Sequence, residues 1–556
     1  MIKPALAVFT ALTFLTSSSL AFSKDIIHDA EHYILEAQNG EQWAADDIVI
    51  SEKLSAFRES NGGKPPNFIY ILLDDVGFGE IGSRELSVVR GYDTPNIDSL
   101  AKSGMSLQRM YSEPSCTPTR VAMMTGRYPT RTGTTEAKTT LAGDGLNADE
   151  ITIAELLRDE GYFTSHVGKW HLGDIEQSFA NNQGFMHSEF PVHQQAQLGI
   201  MNVDGVRADV VRGINVSPSL EPLTLDSLFI PMPEDMVMGL EVKDGKLYEV
   251  GMNPGEEWTQ AKYEEMNVRY QENTLKQLRS LAKQDKPFFL NYWPLLPSTY
   301  VPDIEVPRTR NGGVWADSLV RVDDWIGEIV NEVDKLGIAE NTVIIVMADN
   351  GPFTQYKGLS GMDDRIYRVG KADHLEGGVR VNAYVKWQGM IEPGSYAEDI
   401  IHVSDLFTTM ARLGGATDGI PRDRIIDGVD QTGIFLLGES HGRRDYVHIY
   451  EGPVLKSIVK MNYKMHLPAP GDNPIRAPIF DLYRDSREAR GSEGIKYGPW
   501  AGGQFAAMVK RHMAYKKKYP DRQPGRGIPY GGIQNLRPET KEIVEIFQVG
   551  QGLLKK

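Results

Sequence analysis

Apolar residues follow two rhythms along this chain. Asn67-Phe68-Ile69-Tyr70-Ile71-Leu72-Leu73 and Thr342-Val343-Ile344-Ile345-Val346-Met347 are nearly unbroken apolar runs. A strand with one wet face would alternate, so an unbroken run predicts a strand covered on both faces, as in a parallel sheet. The second rhythm is helical. Ala154–Gly161, Ala316–Leu336 and Asp405–Leu413 carry one apolar face each and stop at or before glycine. A strand around Tyr162–Val167 follows the first of these helices. Strands alternating with helices predict an α/β fold with a doubly wound parallel sheet.

After about residue 420 the texture changes to short extended runs such as Tyr446–Tyr450 and Ser457–Val459, broken by turns. This predicts a smaller C-terminal α+β domain over 421–556, after a main domain over 66–420. Residues 24–65 are polar and mixed and read as an N-terminal arm or linker. A weakly patterned stretch from about 180 to 265 reads as an insertion that shapes a site. The tail after about 495, with Lys516-Lys517-Lys518, has no assignable role.

Charge and composition narrow the function. A net charge of −16 over 556 residues argues against a nucleic-acid partner, which needs a concentrated basic surface. Residues 1–23 carry Lys3, an apolar run from about Ala5 to Leu15 and the small-x-small pattern Ser19-Leu20-Ala21, the marks of a cleaved signal peptide. The apolar run is shorter than the ~20 residues a membrane span needs. The expectation is a periplasmic or secreted protein without membrane insertion. The single cysteine, Cys116, excludes an internal disulfide framework. In an oxidising compartment it is a buried thiol, a link between chains, or a residue kept for its chemistry.

Two turns carry acids at the ends of the buried strands. Asp74-Asp75 precedes Val76-Gly77, and Asp349-Asn350-Gly351 follows the second run. Both fit ordinary turn chemistry. Together, three carboxylates and an amide oxygen beyond the carboxyl ends of parallel strands form a hard donor set for calcium or magnesium. In Ser115-Cys116-Thr117-Pro118-Thr119-Arg120, Thr117 reads as a helix N-cap, Pro118 as the first helical residue and Gly126 as the C-terminal cap. Cys116 then sits at a helix start, where free amides favour an anion, with Arg120 one turn in.

Cys116-Thr117-Pro118-Thr119-Arg120 resembles the C-x-P-x-R signature of type I sulfatases, members of the alkaline phosphatase superfamily. Asp74-Asp75, Thr125-Gly126-Arg127, Gly168-Lys169-Trp170-His171-Leu172-Gly173, Asp349-Asn350-Gly351 and Glu376-Gly377-Gly378-Val379-Arg380 follow the family's order, over roughly residues 67 to 485. The resemblance implies an alkaline phosphatase-like fold, a large mixed, mostly parallel sheet sandwiched by helices, and sulfate monoester hydrolysis. It also implies that a separate maturation enzyme converts Cys116 to Cα-formylglycine. It makes Asp74, Asp75, Asp349 and Asn350 metal ligands, with position 116 contributing both to the metal and, as hydrated aldehyde, the nucleophile. Arg120 stabilises position 116, Lys169 binds the nucleophile and sulfate, and His171 takes a proton from the second hydroxyl. Lys371, five residues before Glu376, contacts the sulfate and helps the leaving oxygen depart. Lys169 and His171, two apart, share a face if the segment is extended.

One position departs from the family. Many relatives carry a Pro-His after a Pro-Phe-Phe-Leu strand; here Pro297-Ser298 stands there, and a hydroxyl is a weak acid. Lys371 alone or a substitute such as His374 then assists departure, and esters with good leaving groups, such as phenols, are favoured. A phosphonate monoester or phosphodiester hydrolase using the same nucleophile, and a non-catalytic binder of sulfated glycans, are the alternative functions.

Overall fold

The computed structural model describes residues 25–138, 142–191, 237–243, 246–251, 260–297, 313–353, 366–468, 477–491 and 495–528. The segment expected to be a signal peptide and Ser298 lie outside them, as does much of the expected insertion. The main elements are α1 (Ala30–Ser60), β1 (Asn67–Leu73), α2 (Pro95–Ser103), β2 (Met105–Tyr111), α3 (Cys116–Thr125), α4 (Ile153–Asp159), β3 (Phe163–Gly168) and β4 (His187–Phe190). Then come β5 (Val237–Lys243), β6 (Lys246–Gly251), α5 (Gln260–Leu281), β7 (Phe288–Trp293), α6 (Gly313–Lys335), β8 (Thr342–Ala348), β9 (Arg380–Lys386), β10 (Ser395–His402) and α7 (Asp405–Gly414). The chain continues through β11 (Tyr446–Glu451), β12 (Val454–Lys460), β13 (Tyr463–His466), β14 (Ile479–Asp481) and α8 (Gly498–Lys518).

The large sheet has the order β10-β2-β9-β8-β1-β7-β3-β4-β5-β6. Its centre, β8-β1-β7-β3-β4, is parallel, and β9 runs antiparallel to both β8 and β2. Every residue of β1 and β8 is buried, which explains their unbroken apolar sequence. Neighbouring residues of β7 face opposite layers. Tyr292 lies within electrostatic reach of Glu328 and Arg321 on α6, while Trp293 lies beneath the Arg120 guanidinium of α3. β11–β14 form a separate four-stranded antiparallel sheet. The structure therefore has the expected mixed sheet and the smaller C-terminal sheet.

The segment read as an arm or linker contains a 31-residue helix instead. Apolar residues such as Ile34, Ile48 and Val49 lie exposed off the buried face and blur the helical period, but Leu35, Trp43, Ile50, Leu54 and Phe57 are buried along one stripe. Ile50, Leu54 and Phe57 join the main core, where Phe57 meets Trp387 edge-on at 4.8 Å between ring centroids. Leu35 and Trp43 join the second core, with Phe505 and Met508 of α8. One helix thus ties both sheets together, and the tail has a structural place through α8.

A buried charge network reinforces that tie. Asp29 Oδ2 accepts from His512 Nδ1 of α8 (2.8 Å) and pairs with Arg131 (2.8 Å), which also binds Asp427. Burial alone would raise the Asp29 pKa, but the His512 hydrogen bond and the surrounding positive charge outweigh it and hold it well below the usual range.

Two outcomes follow for stability. Ile50→Ala lowers unfolding free energy by about 2–5 kcal/mol, read from the urea midpoint. Asp29→Ala costs about 1–3 kcal/mol at neutral pH, because Arg131 and His512 each lose a buried acceptor while Arg131 keeps Asp427. The native Asp29 pKa is depressed, so its contribution is present above the unfolded value of about 3.9 and is lost as pH falls below it. The difference between wild type and variant should narrow in acid.

Candidate active site

Three parallel strands deliver their next residues to one place. β1 and β8 pair in register to Leu73 and Ala348, and Asp349 N donates to Leu73 O (2.9 Å). Asp74, Asp75, Asp349 and Asn350 therefore emerge side by side, all essentially buried. β3 ends at Gly168, which pairs with Trp293, and Lys169 is the next residue. Gly168 has φ +104°, and a Cβ there would stand 2.1 Å from Trp293 O, so no other residue fits this crossing. Asp75 and His171 hold φ of 60° and 63°, left-handed values that cost a non-glycine residue energy and concentrate at functional sites.

The nucleophile candidate arrives on a helix. α3 begins at Cys116 itself, with Ser115 in the extended cap position, so Thr117 and Pro118 lie inside the first turn and not at the cap and first position. The helix starts two residues earlier than expected because Thr117 uses its hydroxyl elsewhere. Thr117 Oγ1 donates to His171 O (2.8 Å) and accepts from Lys138 N (3.1 Å). Gly126 ends the helix at φ 67°, as expected.

Cations interleave these acids. Arg120 sends one nitrogen to Asp349 Oδ2 (2.9 Å) and another to Lys169 O (3.0 Å), and its guanidinium lies 4.9 Å from the Trp293 ring centroid. Lys169 Nζ donates to Asp74 Oδ1 (2.7 Å). Lys371 Nζ donates to Asp75 Oδ1 (2.6 Å) and to Cys116 Sγ (2.8 Å). Three carboxylates face three cations around one sulfur. Burial raises the Asp349 carboxyl, and with the charge of Asp74 beside it the value reaches about 7; Asp74, ringed by Lys169, Lys371 and Arg120, is held well below the usual range despite its burial. Burial and the neighbouring Asp349 and Asp74 push the Cys116 thiol well above its usual value. An unmodified Cys116 would stay a protonated, poorly nucleophilic thiol at neutral pH.

His171 is not on an extended segment with Lys169, because its positive φ turns the chain. The two are brought near through the fold: Nε2 donates to Lys138 O (2.9 Å), which leaves Nδ1 as the basic nitrogen of the neutral ring. Burial, with Lys169 nearby, lowers its pKa well below the ordinary imidazole value, so the ring is neutral. Lys138, which accepts from His171, was not singled out by sequence and carries no motif of its own; Thr117 was read as a helix cap, not as a partner of the His171 backbone.

The donor set fits a divalent cation. Single donor atoms of Asp74, Asp75, Cys116 and Asp349 lie within 4.8 Å of one another. Asn350 Nδ2 donates to Asp75 Oδ1 and Gly351 O (both 2.8 Å), while its buried Oδ1 has no hydrogen-bond partner among the described residues. Such an oxygen is costly unless something positive meets it. All these donors except the sulfur are hard oxygens.

A parallel sheet with acids beyond its strand ends, a buried cysteine at a helix start and guanidinium and ammonium groups fits an alkaline phosphatase-like hydrolase of anionic esters. A sulfatase family model matches residues 66–416, and the chain belongs to that family. It is 31% identical to human arylsulfatase A over 70% of this chain and 71% of the relative. It is 29% identical to rat steryl-sulfatase over 75% of this chain and 78% of the relative. The solved PsFucS1 sulfatase from Pseudoalteromonas sp. superposes with a TM-score of 0.73 at 28% identity, covering 86% of this chain and 96% of that one. The protein is a sulfuric ester hydrolase.

Calcium should raise the melting temperature, since a ligand that binds only the folded state at a hundred times its Kd adds about 2.7 kcal/mol. Asn350→Leu and Asp75→Asn should each shrink that rise, read by differential scanning calorimetry with and without chelator.

Proposed function

We propose that this protein is an exported, calcium-dependent sulfatase that acts on aryl or similarly activated sulfate monoesters through formylglycine at position 116. The observation that carries this reading is the Lys371 ammonium 2.8 Å from Cys116 Sγ, on a sulfur ringed by three carboxylates. A thiol there would be inert, whereas a hydrated aldehyde supplies two hydroxyls and a hard oxygen.

In the proposed reaction, Asp74, Asp75, Asp349, Asn350 and an oxygen at position 116 would hold the cation, which would supply positive charge to the sulfate. One hydroxyl of residue 116 attacks sulfur and passes its proton to the Asp75 carboxylate, whose Oδ1 lies 3.6 Å from the Cys116 sulfur. The S–O bond to the alcohol breaks as the new S–O bond forms. Arg120, Lys169 and Lys371 stabilise the charge that gathers. His171 Nδ1 then takes the proton from the second hydroxyl, the C–O bond to sulfate breaks, and the aldehyde is restored with inorganic sulfate released. A formylglycine-generating enzyme must act first. Calcium is favoured over magnesium by a donor set made almost wholly of protein oxygens, since magnesium usually keeps several waters. Export to the periplasm rests on residues 1–23; no described helix is long and apolar enough to cross a membrane.

Intact mass of the tryptic peptide spanning position 116, from protein made in the native host, should show aldehyde in place of thiol. An unaltered thiol removes this mechanism and leaves a binder of sulfated glycans. Turnover of 4-nitrophenyl sulfate should exceed that of a phosphodiester and a phosphonate monoester; preference for either phosphorus ester assigns the site to phosphorus chemistry. His171→Ala should lower kcat by about 10²–10⁴-fold. Lys371→Ala should cost about 10²–10³-fold.

A further inference from the structure

A second pair of titratable groups stands beside this site. The chain from Val369 to Ala372 is strained, with φ of 61° and 69° at those two residues, and is fixed by backbone hydrogen bonds from Lys371 N to Pro352 O (2.9 Å) and Ala372 N to Pro114 O (2.7 Å). Pro114 lies two residues before Cys116, so this loop is clamped against the nucleophile. Three residues past Lys371 comes His374. Its ring Nδ1 and its backbone N both meet one oxygen, Glu451 Oε1, at 2.5 and 3.0 Å. Glu451 ends β11 in the C-terminal sheet, and His466 of β13 packs edge-on at 4.9 Å between centroids.

A carboxylate on one ring nitrogen fixes an imidazole's orientation and leaves the other nitrogen available for proton transfer. Nδ1 is satisfied by Glu451, and Nε2 makes no hydrogen bond among the described residues. The His374 side chain is 19% exposed, unlike His166 and His402, which are buried within 1%. His166 is enclosed by Trp170, Phe185 and Trp293, and His402 is fixed on Ser404. Its loop neighbour Lys371 already touches the reacting position. A purely structural histidine has no need of a double contact to a carboxylate at an open edge.

Resting on the sulfatase reading above, we propose that His374, oriented by Glu451, donates the proton to the departing ester oxygen. As the bond between sulfur and the alcohol oxygen breaks, the Nε2 proton of the imidazolium passes to that oxygen, and the alcohol leaves neutral. The ring remains neutral with Nδ1–H on the Glu451 carboxylate, and it regains a proton from water before the next turnover. Glu451 is a positioning residue. The C-terminal sheet thereby supplies part of the catalytic apparatus.

The experiment is a leaving-group series of aryl and alkyl sulfates with matured full-length enzyme. For His374→Ala, kcat/KM should fall by about a hundredfold on alkyl sulfates yet only a few-fold on 4-nitrophenyl sulfate, whose phenolate needs no proton. The plot of log kcat/KM against leaving-group pKa should steepen. Glu451→Gln should steepen it less, and His374→Gln, which keeps the bulk, should behave like the alanine variant. An equal loss across the series, or none, overturns the proton-donor role while leaving the sulfatase reading intact. A wild-type enzyme with no activity on any sulfate overturns both. Melting temperatures within a few degrees of wild type exclude misfolding as the cause.

Discussion

Everything at this site depends on a balance of buried charge. Asp74, Asp75 and Asp349 leave two adjacent strands without access to water, and isolated carboxylates could not stay ionised there. Arg120, Lys169 and Lys371 offset them one for one, each through a hydrogen bond of 2.6–2.9 Å. A divalent cation among the same oxygens would tip the site to net positive, which suits a sulfate ester anion.

The balance explains why the fold is built as it is. The parallel register between β1 and β8 sets the acids side by side, and the Gly168 crossing brings Lys169 over Trp293. The remaining cation comes from a loop, and a loop must be held. Glu376 and Glu488 enclose the fully buried Lys464 of β13 at 3.1 and 3.2 Å, and Glu488 Oε2 accepts from Glu376 N (2.7 Å). Tyr111 of β2 donates to the other oxygen of Glu376 (3.0 Å). The C-terminal sheet is in this way the brace that keeps Lys371 on residue 116, and α1 and α8 in turn fasten that sheet to the main core.

Much of this was legible beforehand, for identifiable reasons. Strands buried on both faces announce themselves as apolar runs, and acids placed after such runs fall beyond the carboxyl ends of a parallel sheet. Cys116, Arg120, Lys169, His171 and Lys371 were named from motifs, and the fold gathers them. Other features were not legible. The stripe on α1 is blurred by apolar residues such as Ile34, Ile48 and Val49 on its exposed faces. The offset at the α3 cap came from Thr117, whose hydroxyl is engaged by His171 and Lys138 instead of its own helix. Glu451 and Lys464 lie far along the chain from what they support, in strands that carry no local sign of it.

A crystal structure of protein purified from the native host, refined at high resolution, addresses the central claim most directly. The account predicts one cation about 2.3–2.6 Å from oxygens of Asp74, Asp75, Asp349 and Asn350, with oxygen and not sulfur on the side chain of residue 116. An intact thiol still bonded to Lys371, with no cation among those four residues, would contradict it.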